Sequence, residues 1–228
     1  MDGLPAPAKK IPRGGKVDRV VDQLRAGIAN QHYAPGQRLI EADLTRAYNV
    51  GRSSLREAFS RLAAEGLLEI VPNRGALVRR LSLRETVELF QIRTAHEALA
   101  VRLAAQAVAN ADRRARFEAA TAEIWSDTPR AHGLHYHDEN LRFHQAILDI
   151  CGNGRLAELS RQLRLPLILL QLSNEMTPEM YLQSVHEHRT IATAILDCDP
   201  DAAEAAMRAH LSRAAEIAGS MPASVFSG

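Results

Sequence analysis

Between Leu39 and Arg80 the apolar spacing changes period twice, and few folds accommodate that pattern. LIEADLTRAY places Ile40, Leu44 and Tyr48 one helical turn apart. Asn49-Val50-Gly51 then interrupts as a tight turn, Asn and Gly both tolerating a left-handed conformation. From Arg52 to about Glu65 the helical spacing resumes, with Leu55, Phe59, Leu62 and Ala63 inward. After Gly66 two short β-prone runs, Leu67–Val71 and Ala76–Arg80, flank the turn Pro72-Asn73-Arg74-Gly75. Short helix, glycine-containing turn, second helix and hairpin form a winged helix-turn-helix pattern. A further helix from Lys16 precedes it, carrying Val20, Val21, Leu24 and Ile28 and broken at Ala34-Pro35-Gly36.

The second helix begins with the chemistry that nucleic acid requires. Arg52, Ser53 and Ser54 open it and Arg56 follows one turn later. Free N–H groups at a helix start attract phosphate, serine donates to phosphate oxygens, and arginine reaches guanine edges bidentately. Ser53 could instead be only a helix cap, by itself the commoner meaning of such a serine. Arg74 at the hairpin tip, with Arg79 and Arg80 behind it, suits the minor groove or the backbone. Charge follows the same division. Residues 1–80 carry 14 Lys and Arg against 8 Asp and Glu, whereas the remainder carries 14 against 19. A basic first third on an acidic remainder points to two domains, the first with double-stranded DNA as its partner.

From Leu81 on, helix follows helix, at about 83–109, 112–126, 134–151, 155–173, 177–196 and 199–219. Pro166 should kink the fourth. Short breaks between six helices give an antiparallel bundle. The fold class is therefore mainly α, a winged helix-turn-helix followed by an all-helical bundle. The domains are a flexible arm at 1–15, a DNA-binding domain at 16–80, a bundle at 81–222 and a tail at 223–228. No apolar run reaches the length that spans a bilayer, the Pro/Gly/Lys-rich start is no signal peptide, and Cys151 and Cys198 suggest no disulfide framework. The expected location is the cytoplasm.

Three bundle helices each carry one histidine near the middle of the inward face: His144, His188 and His210. Asn140 lies one turn before the first. Spacing alone leaves two readings open. The imidazoles either form a satisfied polar network in the core or converge on a cation such as Zn²⁺ or Ni²⁺. Asp138 and Glu139 sit at roughly 200° and 100° from Asn140 around the helix and are not expected to join them. Arg93 is either a partner for an effector carboxylate or half of an ordinary i,i+4 ion pair with Glu97. His132, His135 and His137 read as loop or helix-start residues, with a second metal site there a remote alternative. Trp125 and Phe143 read as core.

The stretch from Pro35 to Val78, PGQRLIEADLTRAYNVGRSSLREAFSRLAAEGLLEIVPNRGALV, resembles the winged helix-turn-helix of the GntR family of bacterial transcription regulators. The resemblance implies that Arg52, Ser53, Ser54 and Arg56 contact DNA from the recognition helix and that Gly75 belongs to the wing contact. Gly51 stands where the family usually has Ser or Thr, and Ala42 where some members have a DNA-contacting Arg. The second part resembles the FCD ligand-binding domain that accompanies the FadR subfamily. Its marks are Arg93 with Glu97, Asn140-Leu-Arg-Phe143-His144 before Gly152-Asn153, Glu187-His188 and His210-Leu211. In metal-containing members an Asp and three His hold a divalent cation whose open positions face a carboxylate effector. That carries over to Asn140, His144, His188 and His210, with Asn140 replacing the usual Asp and bringing no charge.

The resulting expectation is a ligand-responsive repressor, a homodimer on a palindromic operator, that senses a small carboxylate or sugar acid. The alternatives are a metal-dependent enzyme and an effector-independent DNA binder. The enzyme reading lacks a nucleophile constellation, and Glu187, beside His188, is expected to face away from the histidines.

Overall fold

A computed structural model describes residues 13–29, 32–72, 74–126, 134–162, 168, 171–172 and 175–227, with backbone alone for residues 13, 14, 29, 134–137, 161 and 162. His132 and Pro166, and the side chains of His135 and His137, lie outside that description. The chain divides between Arg79 and Arg80 into two compact units.

The first unit runs α1 (Arg13–Ala29), β1 (Arg38–Leu39), α2 (Glu41–Ala47), α3 (Arg52–Ala64), β2 (Leu68–Val71) and β3 (Gly75–Val78). Residues 13–15, expected in the arm, belong to the first helix, and residues 1–12 are outside the described residues. α1 packs on α3, and Val20, Leu24 and Ile28 of the first and Leu55, Phe59 and Leu62 of the second are all buried. Each such side chain contributes about 1.5–3 kcal/mol when withdrawn from water, so this pair of faces organises the unit. Ile40, expected inward, is 50% exposed because it is the extended residue that caps α2, where helical spacing does not apply.

The turn between α2 and α3 differs from its expectation in one residue. Asn49 is left-handed at φ 51°, but Gly51 is extended at φ −74° and caps α3 without a side chain. Ser53 is the second residue inside α3, not its cap, so its hydroxyl is not used at the helix start. At the other end Gly66, at φ 72°, donates to the Ala63 carbonyl at 2.9 Å and terminates the helix.

The wing is a three-stranded antiparallel sheet in the order β1-β3-β2, not a hairpin alone. Leu68 pairs with Val78 and Val71 with Gly75 across the hairpin, while Leu39 pairs with Ala76. Two residues of β1 are too few to show a period of two, which hid the strand in the sequence. Gly75 sits at φ 92°, and a Cβ there would run into the Leu39 carbonyl oxygen. Only glycine lets the edge strand approach so closely.

The second unit is α4 (Leu83–Ala107), α5 (Ala111–Thr121) with a short 3₁₀ turn (Ala122–Trp125), α6 (Leu134–Ile150), α7 (Gly154–Gln162), α8 (Pro178–Leu196) and α9 (Pro200–Ser220). The breaks read in the sequence are the caps. Ser82 and Glu85 close a capping box on α4, Asn110 accepts from Arg113 N, and Thr177 and Asp199 cap the two helices that begin with proline. Val101, Ala104 and Ala105 of α4 share one buried core with Phe143 and Ile147 of α6, Ile191 and Ile195 of α8, and Met207 and Leu211 of α9. Phe143 is core as expected, but Trp125, the last residue of the 3₁₀ turn, is 44% exposed.

The C-terminal tail is docked. Phe226 is buried, and Ser227 N–H donates to the Leu81 carbonyl at 3.0 Å. The Gln171 amide grips the same residue from both sides, accepting from Leu81 N–H at 2.8 Å and donating to its carbonyl at 2.9 Å. Two residues earlier, Arg79 N–H donates to the Leu67 carbonyl at 2.9 Å. Among the described residues no helix is long and apolar enough to cross a membrane.

Candidate functional site

In the first unit the start of α3 presents Arg52, Ser53 and Arg56 to solvent, with Ser54 half-buried. Leu55, Ala58, Phe59 and Leu62 turn the other way and anchor the helix. Arg56 does not hang free: its Nε donates to both oxygens of Glu41 on α2, at 2.9 and 3.1 Å. Arg74 is exposed on the wing, and its carbonyl accepts from Arg38 Nε at 2.9 Å, which ties the tip to the edge strand. The expected recognition residues thus sit on a rigid helix, with the wing held by backbone contacts.

In the second unit, three helices bring His144 (α6), His188 (α8) and His210 (α9) together, and one ring nitrogen from each lies within 4.8 Å of the others. All three are buried. Phe143 stacks on the His188 ring at 4.2 Å between centroids and 20° between planes. Asn140, His144 and His210 line a cavity of about 40 Å³, together with Arg93 from α4 and Arg213 from α9. That volume accommodates about three waters, the scale of a hydrated ion or a short acid.

Two carboxylates that sequence reasoning left outside the site orient these rings. Glu97 of α4 places one oxygen 2.5 Å from His144 Nδ1 and the other 2.9 Å from Arg93 Nε. Glu187 of α8, expected to face away, instead bonds His210 Nδ1 at 2.7 Å and both Nε and Nη2 of Arg213. The wheel position one residue from His188 is outward from the α6 side, but it faces α9, which packs along α8. Burial opposes the charge on Glu97, yet Arg93 and His144 outweigh it and hold the carboxyl below the usual range. Glu187 meets the same conflict, and the hydrogen bonds from His210, Arg213 and Gln183 bring it down to about 2. His210 is lowered, first by burial and against the pull of Glu187.

The arrangement fits a bound cation. With His210 Nδ1 bonded to Glu187 and His144 Nδ1 lying against Glu97 at 2.5 Å, Nε2 is the nitrogen that faces away from the carboxylates, and both ring nitrogens of His144 are buried with no hydrogen-bond partner. Carboxylate-supported imidazoles are the usual second layer of a metal site, because they fix the tautomer and raise ligand basicity. Glu139, though buried, is not a member of this cluster, and Asp138 is exposed. Arg93 forms the expected ion pair with Glu97, and its side chain also lines the cavity. Glu97, Glu187 and Arg213 join the site through contacts between helices, for which a single-helix pattern has no signal.

An exposed helix with a wing, and a second, helical unit whose largely apolar cavity carries Arg93, Asn140, His144 and His210 in its wall, are the layout of a bacterial transcription regulator. Residues 16–78 match the model of the bacterial regulatory proteins of the gntR family, and residues 88–213 match the FCD domain. The chain belongs to the GntR family of transcription regulators and carries an FCD domain; it is a regulator, not an enzyme. It is 29% identical over 204 residues to the HTH-type transcriptional repressor GlaR of Escherichia coli strain K12, covering 82% of this chain and 89% of that protein. The repressor RspR of the same strain is 28% identical over 197 residues, covering 85% and 84%. Among solved structures, E. coli McbR/YncC superposes with a TM-score of 0.76 at 19% identity, covering 90% of this chain and 97% of that one. A GntR regulator from Rhodococcus sp. RHA1 gives 0.75 at 23%, covering 91% and 100%.

Proposed function

We propose that this protein is a metabolite-responsive repressor, working in the bacterial cytoplasm as a homodimer on a palindromic operator. Arg52, Ser53, Ser54 and Arg56 would read the major groove, while Arg74 and Gly75 would bring the wing to the adjacent backbone or minor groove. Relatives such as GlaR and RspR are repressors, which supports that direction of control.

The sensing site would be a divalent metal, Zn²⁺ or Ni²⁺, held by His144, His188 and His210 with Asn140 beside them, and a small carboxylate effector reaching it through the cavity that Arg93 lines. When bound, such a cation supplies a Lewis-acidic point that attracts a carboxylate oxygen. The observation that carries this reading is the trio of buried imidazoles, two with Nδ1 on carboxylates and His144 Nε2 without a partner. Elemental analysis of protein purified without a metal-affinity tag tests it. About one metal per chain is expected, falling severalfold in His144→Ala. Equal content in both proteins would leave the three histidines as a core polar network.

A further inference from the structure

Arg56 is held in a way that its neighbour on α3 is not. Arg61 spends both Nη ends, on Asp18 of α1 and on Glu57 one turn back. Arg56 instead gives its Nε to both oxygens of Glu41, and among the described residues no acceptor takes its Nη groups. The Arg56 side chain is 67% exposed and that of Glu41 22%, so the carboxylate is seated against the protein while the far end of the guanidinium stands in solvent. The seat itself is fixed. Glu41 opens α2 two residues after Leu39, which pairs with Ala76 of β3. Gly75 packs against the same turn, where a Cβ would lie 3.8 Å from Glu41 N.

We infer that Glu41 is a positioning residue for base recognition: it holds Arg56 by the Nε edge so that the Nη end meets a guanine of the operator. The inference rests on the recognition-helix reading above and deepens it. A free arginine samples many rotamers, and fixing one costs entropy at the moment of binding. A guanidinium already held at Nε has met part of that cost, and its Nη groups remain to donate to guanine O6 and N7. The pairing also sets what Arg56 contributes to binding. A bare cation attracts any phosphate, whatever the sequence. Paired with Glu41, Arg56 brings no net charge, so its contribution is confined to hydrogen bonds with a base edge. Arg52, one turn earlier, pairs with no acid among the described residues and keeps its charge for phosphate.

The test uses the full-length protein and a duplex that the wild type selects from a random-sequence library. Fluorescence anisotropy would compare that duplex with copies carrying 7-deazaguanine, which lacks N7, at one guanine at a time. The wild type should lose roughly tenfold at one guanine of each half-site, the effect of one hydrogen bond from a charged donor. Glu41→Ala removes the acceptor and should bind both duplexes equally. Glu41→Gln keeps an acceptor oxygen but no charge. It should retain part of the discrimination, while its log affinity falls more steeply with log salt, by about 0.9 for each half-site. A Glu41 that only braces the fold would move neither readout, and circular dichroism checks that both variants are folded. A Glu41→Ala protein that keeps the full loss at that guanine, or a Glu41→Gln protein with the wild-type salt slope, overturns the role of Glu41. So does a wild type with no guanine sensitive to the replacement. Arg56→Ala separates this role from the reading beneath it: if that variant too keeps wild-type affinity and discrimination, the recognition helix itself is wrongly assigned.

Discussion

Glu97→Gln changes one atom type and tests how the metal centre is organised. The carboxylate has two neighbours, accepting from Arg93 Nε at 2.9 Å and lying 2.5 Å from His144 Nδ1, with both partners and Glu97 itself buried. An amide has one oxygen. If that oxygen stays on the arginine, its NH₂ group faces His144 Nδ1, which must then accept. The ring proton moves to Nε2, the nitrogen otherwise left for the metal, and ligation through it is blocked. Loss of an outer-layer partner costs roughly 10–100-fold in metal affinity. The same substitution leaves Arg93 buried beside a neutral group, which costs about 3 kcal/mol, the low end for breaking a buried pair because one hydrogen bond survives. In a unit of this size that lowers Tm by about 6–12 °C. Competition with a chromophoric chelator reads the affinity, and circular dichroism melts of the metal-free protein read the stability separately. Unchanged zinc affinity in a folded Glu97→Gln protein would refute the claim that Glu97 sets the His144 tautomer.

Arg52→Ala and Arg56→Ala should each abolish operator-specific binding in a gel-shift assay while circular dichroism stays native, because both side chains are exposed; retained operator affinity would remove them from the recognition surface. Gly75→Ala should destabilise the first unit by at least about 2 kcal/mol in urea titrations, through left-handed strain and the collision with the Leu39 carbonyl; a loss under half of that would show that the wing relaxes freely. Asn140→Asp puts a charged ligand into the cavity and should raise zinc retention during dialysis against a chelator. Equal or lower retention would show that residue 140 does not reach the metal.

Much of this molecule is legible in its sequence, and the parts that are not share a cause. Helix limits in the bundle fall within a few residues of the breaks at Asn110, Thr177-Pro178 and Asp199-Pro200, because those residues are themselves the caps. His144, His188 and His210 are readable as a group because each lies mid-helix on an apolar stripe, a pattern local to its own helix. Glu187 and Arg213 are not, since what defines them is a contact between α8 and α9. A wheel drawn for α8 alone makes Glu187 a solvated neighbour of His188. Likewise Ile40 and β1 fail as sequence signals: a capping residue and a two-residue strand are both too short to carry a period.

Gln171 and Ser227 close on Leu81, the residue just before the cap of α4, so the start of that helix is held by groups far along the same unit. The first turn of α4 is therefore no free end: displacing it breaks three hydrogen bonds, two to Gln171 and one to Ser227.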